Sequence, residues 1–70
     1  MKRDRVRSSS IASVGYDEAH HVLEIEFHNG KVYRYLDVPA AVHRLLLQAP
    51  SIGEFVNTIV KPTFAVIRTE

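Results

Sequence analysis

Tyr33, Arg34 and Tyr35 form the densest group of recognition chemistry in this 70-residue chain. Aromatic faces stack on nucleobases, and a guanidinium either stacks or pairs with phosphate. Lys31 and Arg44 complete a candidate RNA-binding set, and Lys61 and Arg68 could extend it. The same triplet has a plainer structural reading. Two tyrosines at i and i+2 of a strand share one face, so both rings can be core residues with wet hydroxyls. Arg34 then faces the other way, toward Glu24.

The four histidines do not converge on a metal. His20 and His21 are adjacent and point to opposite faces of an extended segment. His28 lies at the far end of the following strand, and His43 has no ligand-type partner at helical spacing. No H-E-x-x-H or comparable pattern occurs. Catalysis has no better footing. Ser8, Ser9, Ser10 and Ser13 lack a local base, and Ser51 suits a helix cap. Asp17 and Glu18 are neighbours in a turn, and the three glycines form no phosphate-cradling loop. The expectation is a non-enzyme without metal or cofactor.

Elements must position the triplet. Ser10–Tyr16 is β-branched and aromatic and reads as a strand, with Gly15 as a candidate bulge. Val22–Phe27 alternates Leu23, Ile25 and Phe27 with Glu24 and Glu26. Lys31–Leu36 follows as a third strand. A two-residue Asn29-Gly30 turn would drive Arg34 into the apolar face. A three-residue His28-Asn29-Gly30 loop instead pairs Ile25 with Tyr33, Leu23 with Tyr35 and Glu24 with Arg34. The polarity pattern favours this second register, which turns both tyrosines toward the helices.

Pro39 can open a helix over Pro39–Ala49, with Val42, Leu45, Leu46 and Ala49 as its buried stripe and His43 outside it. Pro50 ends it. Ser51 and Glu54 form a capping-box pattern for a second helix, with Phe55, Ile59 and Val56 inward and Pro62 as its stop. Thr63–Arg68 reads as an extended apolar arm. The fold class is therefore α+β, two-layer. A three-stranded antiparallel meander is followed by two helices and a short C-terminal extended segment.

Charge separates the front of the chain from the rest. The whole chain carries +1 and residues 1–7 carry +3, which leaves −2 for residues 8–70. Residues 1–7 read as a basic flexible tail, and residues 8–70 as a single, mildly acidic domain. No apolar run approaches a membrane span, and no cysteine is present. A cytoplasmic location is the expectation.

The ordered series Ser8-Ser9-Ser10-Ile11, Ser13-Val14-Gly15-Tyr16-Asp17, Leu23–Phe27, Gly30, Val32-Tyr33-Arg34-Tyr35 and Val38-Pro39 resembles the KTSC domain. Ala49, Ser51, Gly53, Phe55, Asn57 and Ile59 continue the likeness to about residue 68. Val56 stands where the family pattern has an aromatic. The family takes its name from the C-terminus of some lysyl-tRNA synthetases and also occurs as small stand-alone bacterial proteins. The resemblance implies a small binding module, with RNA or the translation machinery as its partner. The alternative partner is a protein or a second copy of the chain, met through an edge strand or the apolar Phe64–Ile67 arm. The competing role of that arm is to seal the domain's own core.

Overall fold

The computed structural model describes residues 2–69. Its strands are β1 (Arg3–Arg5), β2 (Ile11–Asp17), β3 (Val22–Phe27), β4 (Val32–Tyr35) and β5 (Val66–Arg68). They form one antiparallel sheet in chain order, so the architecture is α+β with five strands where three were expected. The three expected strands are the central ones, and both additions are edges. The expected flexible tail contains β1, paired with β2 through Arg3–Gly15, Asp4–Val14 and Arg5–Ser13. Met1 lies outside the described residues. The C-terminal arm is β5, laid against β4.

The β3–β4 hairpin adopts the three-residue loop. Phe27 N–H donates to the Lys31 carbonyl at 2.9 Å, and Gly30 occupies the left-handed region at φ +89°. A bulge in β2 falls between Ile11 and Ser13, upstream of Gly15, which pairs regularly with both Arg3 and Glu24.

Helix α1 (Ala40–Gln48) begins after Pro39. Leu46 is its buried anchor and Val42 packs beside it, but Leu45 is 56% exposed. His43 takes the inward place that Leu45 was expected to fill. Its ring stacks on Tyr16, with centroids 4.8 Å apart and planes 12° apart. The Tyr16 hydroxyl donates to the Val38 carbonyl, which ties the loop before α1 to β2.

The second helix starts with α2 (Ile52–Phe55), where the Ser51 hydroxyl accepts from Glu54 N–H at 3.2 Å. It widens into a π-helical stretch over Val56–Val60 and closes with α3 (Lys61–Thr63). Lys61 N–H reaches five residues back to the Val56 carbonyl. The expected stop at Pro62 is therefore passed. A proline ring clashes with the carbonyl four residues earlier, and a widened turn moves that carbonyl aside. The widening also shifts the helix phase, so Val60 is buried and the expected Ile59 is exposed. Both helices contribute to a core of Ile11, Val14, Leu23, Ile25, Tyr35, Val38, Leu46, Val56 and Val60 on one sheet face.

Candidate functional site

Strand alternation divides the Tyr33-Arg34-Tyr35 triplet between the two faces of the sheet. Tyr35 is 3% exposed within the core, and its hydroxyl pKa is raised by burial, with Tyr33 adding to the effect. Tyr33 is half-buried on the same face, edge-on to Phe27 at 5.6 Å between centroids. Lys61 Nζ sits 5.4 Å from the Phe27 ring centroid, a cation–π contact. Arg34 lies on the opposite face, Lys31 is exposed at the hairpin end, and Arg44 is exposed on α1. The five candidate RNA-binding residues are thus not brought together into one stacking platform. For Arg34 the physical reason is the two-residue period of a strand, which sets neighbours on opposite faces, and Arg44 is carried by a separate element, α1.

The outer face, away from the helices, carries a cross-strand row. Arg3, Gly15, Glu24, Arg34 and Ile67 occupy equivalent positions on β1 to β5. Arg34 Nε lies 3.3 Å from Glu24 Oε1, and Arg3 Nε lies 3.8 Å from Glu24 Oε2. Glu24 is only 7% exposed, flanked by the two guanidinium groups. In the adjoining row, the Ser13 hydroxyl donates to Glu26 Oε1 at 2.7 Å. This face engages its own charges.

His20, His28 and His43 meet separate partners. His20 Nδ1 is 2.8 Å from Asp17 Oδ2, and this hydrogen bond lowers the Asp17 pKa. His28 Nε2 is 3.0 Å from the Ser8 carbonyl. Among the described residues, no group of three His, Cys, Asp or Glu side chains could hold a metal ion, and no helix is long and apolar enough to cross a membrane.

The β5 edge is the remaining feature with recognition chemistry. Leu36 N–H donates to the Ala65 carbonyl and Thr69 N–H to the Val32 carbonyl, both at 2.9 Å. Alternation along an antiparallel strand then turns the Val66 peptide groups away from β4, toward the open edge. Phe64 packs on the core, but Val66 and Ile67 remain 47% and 49% exposed. The arm therefore seals the core at its start and presents apolar side chains beyond it. Sequence patterning located the arm, but the division at Phe64 depends on where the second helix ends. At the opposite edge, β1 presents Arg3, Asp4 and Arg5.

The family model of the KTSC domain matches residues 7–64. The chain belongs to the KTSC domain family. An uncharacterized protein from Stutzerimonas stutzeri is 47% identical over 62 residues, covering 89% of this chain and 87% of that protein. A lysine–tRNA ligase from Nostoc punctiforme is 39% identical over 56 residues, covering 80% of this chain but 10% of the ligase. The crystal structure of a KTSC domain protein from Yersinia pestis superposes with a TM-score of 0.92 at 37% identity, covering 99% of this chain and 97% of that one. The family match spans the central KTSC meander and both helices. Strands β1 and β5, the two sheet edges, lie outside it.

Proposed function

We propose that this KTSC domain is a non-catalytic binding module that docks a protein partner by strand addition at the free edge of β5. The observation that carries this reading is the half-exposed Val66–Ile67 pair on an edge whose Val66 peptide groups face outward. Strand addition draws affinity from main-chain hydrogen bonds and specificity from alternate side chains. Natural edge strands are commonly blunted by charge. Here β1 fits that pattern and Val66–Ile67 departs from it.

The RNA reading draws support from kinship with the ligase, in which a homologous segment accompanies a much larger protein. The buried Tyr35 ring and the Glu24-paired Arg34 weigh against a stacking role for the triplet. The test uses the whole chain as bait in cell extract at low salt, with and without ribonuclease. Retention of a protein that survives ribonuclease and is lost in Ile67→Lys supports the docking module. Retention of RNA that is lost on replacing Tyr33, Arg34 and Tyr35, with no protein dependent on Ile67, overturns it.

A further inference from the structure

Resting on the docking reading of β5, we infer that the strand it receives is the β5 of a second copy, related by a twofold axis. A twofold interface must be self-complementary, because the same patch serves both partners. The β5 edge meets that condition. Antiparallel pairing of two copies around Val66 and Ile67 sets apolar side chains against apolar side chains on both faces of the joined sheet. It also gives the outward Val66 peptide groups hydrogen-bonding partners. The register that would set Arg68 opposite Arg68 is disfavoured by like charge.

The β1 edge fails the same condition. Self-pairing around Asp4 places Arg3 of one copy opposite Arg5 of the other, on one face of the sheet. Lys2 and Arg7 add further positive charge at that edge. Of the two sheet edges, only β5 suits a second copy, and the association closes at two. The joined sheet would run through ten strands, with both helical layers on the same face. Three-residue strands bury little surface, so the dimer belongs to the small, transient class, below about 1,200 Å².

Size makes this partner useful to the fold. A chain of this length buries only about 60% of the surface its unfolded form exposes. A second copy removes further apolar area from water without lengthening the chain.

Sedimentation equilibrium of the whole chain from about 10 µM to about 1 mM spans the affinities expected of such an interface. The expected result is a mass rising from 7.9 kDa toward twice that value, with no larger species. Ile67→Lys and Val66→Pro each hold the mass at one chain across the range. The second removes an edge-facing donor and none that points to β4. Leu45→Lys, at an equally exposed apolar site on α1, associates as the parent does. Circular dichroism confirms that each variant is folded. A parent that remains one chain throughout overturns the twofold dimer. So does association abolished by Leu45→Lys but not by Ile67→Lys and Val66→Pro, or growth beyond two copies. The docking reading fails separately, if neither a second copy nor any protein retained from extract depends on Ile67.

Discussion

Arg34 Nε lies 3.3 Å from Glu24 Oε1 across the β3–β4 ladder, on the face opposite the rings of Tyr33 and Tyr35. That pairing fixes the register of the hairpin as well as the use of its charges. A one-residue slip would place the guanidinium in the core and both tyrosines in solvent. The residue that looked most suited to phosphate is thus occupied with a carboxylate one strand away.

Glu24 answers two guanidinium groups, so its removal leaves both without their partner. Glu24→Ala is expected to cost about 1.5–3 kcal/mol, because hydrogen bonds to buried charges are worth more than exposed ion pairs. Arg34→Ala leaves Glu24 with Arg3 and is expected to cost no more than about 1 kcal/mol. Urea denaturation of the two variants checks the order.

Gly30 sits at φ +89°, and a Cβ at this position would meet nothing within 4 Å. Gly30→Ala is therefore a backbone effect alone, expected to cost about 1–2 kcal/mol. Gly30→Asn should lose less, since asparagine tolerates the left-handed region. Thermal melts of the two variants give the comparison.

Gly53 presents the opposite case. A Cβ there would lie 2.5 Å from Ser10 Oγ, so the second helix approaches the Ser8–Ser10 segment through a missing side chain. Ser10 is exposed and its hydroxyl can turn to another rotamer, so Gly53→Ala alone should fall within about 1 kcal/mol of the parent, alanine's helix preference offsetting the cost of that rotation. In a Ser10→Ala background the same change should stabilise it by up to about 1 kcal/mol, the helix preference of alanine over glycine. A double-mutant cycle reads the coupling.

His43 supplies the pH dependence. Burial against Tyr16 lowers its pKa, with Asp4 opposing the shift and Arg44 adding to it. The unfolded chain then binds the proton more readily, so stability is full above the ordinary value of about 6.5. It is lost as pH falls through the depressed folded value. Urea midpoints should drop on acidification across this window, and the drop should shrink in His43→Phe.

The central hairpin was legible because Glu24, Glu26 and Arg34 punctuate an otherwise apolar alternation, and only one loop length keeps them together on one face. The second helix was legible at its start, where Ser51 caps it. Its inner face was not, because Pro62 forces a π-helical stretch and moves the buried position from Ile59 to Val60. Helix α1 misled at Leu45, since His43 finds a stacking partner only after Tyr16 is in place. The candidate site was partly legible. The apolar arm stood out in the sequence, but the edge it exposes depends on β4 taking its other side. Strand β1 was hidden because Arg3-Asp4-Arg5 has the composition of a solvated terminus, and its position comes from pairing with β2.

Gly15 gives β1 a second attachment to the sheet. Bare backbone at that place lets Arg3 reach across β2 to Glu24. The first strand is therefore held by an ion pair as well as by its ladder, and because Glu24 is nearly buried, dissolved ions screen that tether only weakly. The front of the chain should stay on the sheet at ionic strengths that loosen exposed ion pairs, so a missing side chain one strand in from the edge helps to set the width of the sheet.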